Sequence, residues 1–126
     1  IGAVYVPGAR TPIVVKEDLV RRMKQGSVIV DVAIDQGGIF ETSRPTTHDD
    51  PVFVEEDVVH YCVPNMPGAV PRTATAALTA ATFPYVQKIA QMGAIHAISA
   101  DPALARGLMT RDGELVNRNV AQALGM

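Results

Sequence analysis

The run Ser27–Val32 (SVIVDV) constrains the fold more than any other stretch of this chain. Val28, Ile29, Val30 and Val32 are apolar and β-branched without strict alternation, the pattern of a strand covered on both faces in a parallel sheet. A similar run, Ile1–Val6 (IGAVYV), precedes it, and another, Val58–Val63 (VVHYCV), follows. Between the first two lies Lys16–Lys24 (KEDLVRRMK), with Glu17 and Asp18 at its start and Arg21, Arg22 and Lys24 at its end. That order complements a helix dipole, and Gly26 supplies the stop. Strand, helix and strand make a βαβ unit with a right-handed parallel crossover. The expected fold is α/β, and residues 1–68 hold part of a parallel sheet.

The character changes near Gly68. Ala69–Met92 is rich in Ala and Thr with apolar residues at helical spacing, and Pro84 is expected to kink or split it. Shorter helical pieces are expected at Ala94–Ala100, Pro102–Arg106 and Asn117–Leu124, so residues 69–126 form a helical segment. Asp112–Gly113 is expected to turn a tight hairpin. Gly37–Pro51 lacks periodicity, and its Pro45-Thr46-Thr47 marks a surface loop.

Thirteen acidic and eleven basic residues leave a net charge of -2, which gives no footprint for nucleic acid or an anionic membrane. The longest uncharged run, Thr73–Gln87, is shorter than the roughly 20 residues that a membrane span needs. A single cysteine, Cys62, rules out an intrachain disulfide and fits a reducing compartment. Ile1 opens directly on an apolar run without an initiating Met, so the chain is expected to be a piece, or the ordered remainder, of a longer protein with elements missing upstream.

Ligands of open parallel sheets bind beyond the carboxyl ends of the strands. Three turns fall there: Pro7–Pro12, Ala33–Gly38 and Pro64–Gly68. Each contains Gly, which permits close backbone approach, and each carries a polar side chain. Gly and Pro are also ordinary turn punctuation, so the turns alone leave the reaction open. Neither GxGxxG nor GxxxxGK[ST] is present.

The stretches IGAVYVPGARTP (Ile1–Pro12), MKQGSVIVDVAIDQGGIFETSRPTTHDDP (Met23–Pro51), HYCVPNMPGAVPRTAT (His60–Thr75) and PALARGL (Pro102–Leu108) resemble the alanine dehydrogenase family. The resemblance implies NAD-dependent interconversion of L-alanine with pyruvate and ammonia by a cytoplasmic homo-hexamer of two-lobed chains. It makes residues 1–68 the second half of a Rossmann-type NAD-binding domain, followed by a helical arm that returns to the substrate domain. It places Val4 and Tyr5 on the adenosine side of NAD, and Val32, Ala33, Ile34 and Asp35 along nicotinamide and ribose. Arg44 contributes a further cofactor contact, and Val63, Pro64, Asn65 and Met66 close the nicotinamide pocket. Asp35 is the implied catalytic residue, and Asn65 lies near substrate. The family's acid/base histidine, its substrate-holding lysine and arginine and its glycine fingerprint lie upstream of the stretches matched here. Tyr5 is an aromatic where many relatives carry an aliphatic side chain.

Plainer roles suit the other candidates. His48 is expected as a solvated loop histidine, His60 as a packed strand residue and His96 as part of a helical surface. Cys62 is expected as an inert buried thiol, Asp31 as a local cap or partner, and Arg10 and Arg72 as surface charges. Thr-Thr-His-Asp-Asp at residues 46–50 lacks the second cluster that a metal site needs. Two other functions remain open: a cofactor-binding module like the NAD-binding component of proton-translocating transhydrogenase, and an assembly piece without activity of its own.

Overall fold

The computed structural model describes Ile1–Met126, which divides into two compact units, Ile1–Ala69 and Val70–Met126. In the first, helix α1 (Glu17–Val20) leads to strand β1 (Val28–Val30), a 3₁₀ turn (Ile34–Gln36), and strands β2 (Val52–Glu55) and β3 (Val58–Tyr61). The strand order is β1-β3-β2. β1 and β3 are parallel, with Ile29 opposite His60, as a crossover requires.

The edge strand β2 is an addition to the expected elements. It pairs antiparallel with β3 through a two-residue turn, Glu56-Asp57, with φ of 51° and 58°. Positive φ at both positions gives the twist of a primed hairpin turn, usually filled by Asn or Gly.

Ile1–Val6 is not a regular buried strand. It reaches β1 through one parallel bridge, Gly2 to Asp31, in which Gly2 N donates to Val30 O at 2.8 Å and accepts at its own carbonyl from Val32 N at 2.7 Å. Gly2 is needed there, since a Cβ would lie 2.6 Å from the Ile39 and Phe40 side chains. The expected cover on both faces of β1 is also absent: Ile29 is buried, while Val28 is 59% and Val32 48% exposed. The helix expected over Lys16–Lys24 has one regular turn; Arg21 at its end pairs with Glu17 and with Glu56 at 3.1 Å.

Val20, Ile29, Ala33, Ile39, Phe40 and Val58 form the core of this unit, with Val4, Val15 and Met23 packed against it. Burying each Val, Ile, Phe or Met side chain fully stabilises by roughly 1.5–3 kcal/mol before entropy is counted.

The second unit contains α2 (Pro71–Met92), α3 (Ala94–Ala100), α4 (Pro102–Arg106), the ribbon β4–β5 (Thr110–Arg111, Glu114–Leu115) and α5 (Arg118–Ala123). Pro84 does not split α2, which runs unbroken for 22 residues. The break comes at Gly93, whose φ of 77° turns the chain toward α3. Asp101 caps α4 by accepting from Ala103 N at 2.8 Å and pairs with Lys88 at 2.5 Å. The Lys88 ammonium and the Ala103 N–H hold its carboxyl below the usual carboxylate range. Asp112 and Gly113, at φ 51° and 84°, form the expected hairpin turn. No helix is long and apolar enough to cross a membrane.

Candidate functional site

The site is built around a carboxylate that is not itself at the surface. Asp31 directly follows β1 and is 0% exposed. Its Oδ1 accepts from Ala33 N at 3.1 Å. Its Oδ2 accepts from Ile39 N at 2.9 Å and from the Ser43 hydroxyl at 2.7 Å. One side chain thereby ties both ends of the Ala33–Ile39 excursion to the strand end, which meets the expectation of a local cap and extends it. Gly38, at φ 79°, lies against it; a Cβ there would sit 2.8 Å from Asp31 Oδ2.

The turn is held from a second side. Thr11 N donates to Gln36 O at 3.0 Å, and its hydroxyl donates to Gly38 O at 2.9 Å. Gln36 Nε2 donates to Val6 O at 3.2 Å. Pro7 and Gly8, the latter at φ 66°, occupy the middle of the Val6–Ala9 turn, the arrangement of a type II turn.

On this frame Asp35 projects from the 3₁₀ turn as an exposed carboxylate without a hydrogen-bonding partner in the chain. It borders a cavity of about 200 Å³ lined also by Ala3, Val4, Tyr5, Val32, Ala33 and Gln36. The Ala3–Tyr5 stretch and the turn after β1 therefore meet here. The apolar wall and single free carboxylate suit a flat ring or sugar with a hydroxyl or positive charge toward Asp35.

Other expected site residues stand elsewhere. Ile34 and Val63 are 4% and 1% exposed, so their side chains belong to the interior. Pro64, Asn65 and Met66 lie on the turn after β3 and are not walls of this cavity. Asn65 takes φ 55°, a left-handed conformation that Asn tolerates, and its carbonyl accepts from His48 Nε2 at 3.1 Å. His48 is thus exposed but engaged, rather than merely solvated. Arg44 places its guanidinium 4.0 Å from the Phe53 ring centroid.

Ala3, Gln36, Thr11 and Asp31 are not among the expected site residues. Gln36 carries a signal, as the second polar residue of AIDQGG. Thr11 carries none, because its bonds join positions 25 and 27 residues apart.

His60 is 0% exposed; its Nδ1 donates to Val58 O at 2.9 Å, and in the neutral ring Nε2 accepts from the Thr42 hydroxyl at 2.8 Å. Stacking on Phe53 at 4.9 Å completes the packed role expected of it. No group of three or more His, Cys, Asp or Glu is placed to hold a metal ion.

Burial pushes the Cys62 thiol up, against a hydrogen bond to Ser43. A free thiol ionises at about 8.5, so stability from the protonated, buried thiol is full below that pH and falls as pH rises toward the folded value. In the native full-length protein at pH 8, the Cys62 peptide is expected to escape iodoacetamide and to react after denaturation, as read by mass spectrometry. Rapid native labelling would contradict the buried placement.

A parallel strand pair with a cavity at the turn after β1 is the place where open α/β sheets take up ligands. The chain belongs to the family described as alanine dehydrogenase/PNT, C-terminal domain, whose model matches residues 1–118. It is 57% identical to alanine dehydrogenase of Staphylococcus saprophyticus subsp. saprophyticus over 127 aligned positions, covering 100% of this chain and 34% of that protein. Identity to alanine dehydrogenase of Mycolicibacterium smegmatis is 57%, with the same coverage of 100% and 34%. A solved L-alanine dehydrogenase superposes with a TM-score of 0.78 at 54% identity, covering 98% of this chain and 34% of the other. Transhydrogenase from Sinorhizobium meliloti shares the fold, with a TM-score of 0.63 at 21% identity over 90% of this chain and 30% of its own. The chain thus spans about a third of the length of the relatives it matches, and its fold is α/β of Rossmann type.

Proposed function

We propose that the chain forms the carboxyl-terminal third of an NAD-dependent alanine dehydrogenase that interconverts L-alanine with pyruvate and ammonia. The observation that carries this reading is the 57% identity to alanine dehydrogenase along the whole chain. Residues 1–68 then belong to the NAD-binding domain and residues 69–126 to the substrate domain. Homo-hexameric assembly and a cytoplasmic location follow from the family resemblance.

The cavity fits one end of a dinucleotide. Its volume of about 200 Å³ is below the several hundred typical of whole-ligand sites, and it pairs apolar walls with one free carboxylate. NAD, when bound, supplies the hydride-accepting ring. Val32 and Ala33 would pack against nicotinamide and ribose, with Ile34 offering its backbone, while Val4 and Tyr5, which the resemblance gives to the adenosine side, line the same cavity and would meet the adjoining part of the cofactor. The family resemblance also gives Val63, Pro64, Asn65 and Met66 to the nicotinamide side, Asn65 toward substrate and Arg44 to an outer contact, although none of these five lines this cavity. Asp35 faces the ring and favours positive charge at it and at the substrate nitrogen. It would also orient the attacking water or ammonia, since hydride transfer depends on fixed near contact.

None of the three histidines suits the acid/base role: His60 is buried, His48 is bound to Asn65 and His96 lies on α3. The isolated chain is accordingly inactive. Incubating the full-length protein with NAD and L-alanine should produce NADH, while the 126-residue chain produces none. A parent that oxidised another amino acid and ignored alanine would refute the substrate assignment. The transhydrogenase-type alternative is disfavoured, since that likeness is 21% against 54% for the solved alanine dehydrogenase.

A further inference from the structure

Asp35 has no partner in the chain, so the backbone of its turn is what the fold contributes to placing its carboxylate, within the reach of its own rotamers. We propose that Asp31 is the positioning residue of this site: from inside the fold it holds the turn that aims Asp35. This rests on reading Asp35 as the nicotinamide-facing carboxylate.

Asp31 is wholly buried, yet no cationic side chain pairs with it; its three donors are Ala33 N, Ile39 N and the Ser43 hydroxyl. A buried carboxylate so placed costs desolvation, and an apolar side chain at a strand end would avoid that cost. What the carboxylate supplies is two acceptors aimed at N–H groups on either side of Ile34–Gly38. Asn cannot replace it. One backbone N–H meets each oxygen, so either amide orientation sets an NH₂ group against a donor. Ser43 extends the clamp to the far end of the loop, and its oxygen accepts from the Cys62 thiol at 3.7 Å.

The two carboxylates thus divide the work, one touching ligand and the other fixing the backbone that carries it. Misplacement of a reacting group by about 1 Å costs on the order of 100-fold in rate.

The test is a double-mutant cycle in the full-length protein. It uses Asp31→Asn, Asp35→Asn, their combination and Ser43→Ala, the last also combined with Asp35→Asn. For each, kcat, both KM values and the thermal midpoint are measured. Asp31→Asn is expected to lower kcat about 10- to 100-fold on the native background. In an enzyme already carrying Asp35→Asn, that loss should shrink to about twofold, the scatter of independent sites. Ser43→Ala keeps both backbone bonds and is expected to lose about three- to tenfold in kcat, again only when Asp35 is present. It carries the test if Asp31→Asn does not fold. Equal losses on both backgrounds, or none on either, would overturn the positioning role. An Asp35→Asn enzyme at the wild-type rate would instead sink the reading of Asp35 and this proposal with it.

Discussion

Replacing Asp35 with Asn in the full-length enzyme is expected to lower kcat by about 100- to 1,000-fold with no loss of folding. Both halves of that expectation come from the same geometry. Asp35 is exposed and unpartnered, so removing its charge breaks nothing within the chain. Substitutions at such positions shift stability by about 0.5 kcal/mol or less. On the proposed reading the charge acts on what enters the cavity, beside the apolar Val4, Val32 and Ala33. Steady-state assays beside thermal unfolding decide the matter. Near-wild-type turnover would remove Asp35 from the mechanism, and a large fall in thermal midpoint would contradict the geometry around it.

The second large effect belongs to a glycine. Gly38→Ala is expected to destabilise by about 2–5 kcal/mol and to depress turnover as well. The φ of 79° alone disfavours any Cβ, and the added atom would lie 2.8 Å from the buried Asp31 Oδ2. Gly37 provides the control. Its φ is 108°, but a Cβ there meets nothing within 4 Å, so Gly37→Ala bears only the backbone penalty. Urea midpoints of the two variants in the full-length protein should therefore differ, with Gly38→Ala lower. Equal midpoints would mean that the contact with Asp31 contributes nothing.

The parts of the fold that are legible in the sequence share one property: local chemistry and the wider pattern agree. Ser27–Val32 and Val58–Val63 are apolar enough to mark β1 and β3, which pair in parallel. Asp112–Gly113 has the composition of its turn, so the ribbon β4–β5 follows. Glu56-Asp57 adopts positive φ at both positions without Gly or Asn, and β2 therefore leaves no local signal. Pro84 misleads because it removes one donor from a 22-residue helix, which is not enough to end it, whereas Gly93 changes the chain's direction. Ile1–Val6 has the apolarity of a strand, but apolarity does not specify hydrogen-bond partners, and one bridge is all it makes.

The site divides similarly. Asp35, Val4, Tyr5, Val32 and Ala33 come from the resemblance, and the cavity gathers all five. Residue patterns alone reach the three turns but not their chemistry. What no local pattern encodes is the support beneath them. Thr11 to Gly38 spans 27 residues and Ser43 to Asp31 spans 12, and such contacts exist only once the chain has folded.

On the proposed reading, Asp35 faces the nicotinamide end of NAD in the cleft beside Val32–Gln36. A crystal structure of the full-length protein with NAD tests it most directly. The nicotinamide ribose or ring is expected against Val32 and Ala33, within hydrogen-bonding reach of the Asp35 carboxylate. Electron density for NAD elsewhere, with this cleft empty, would contradict it.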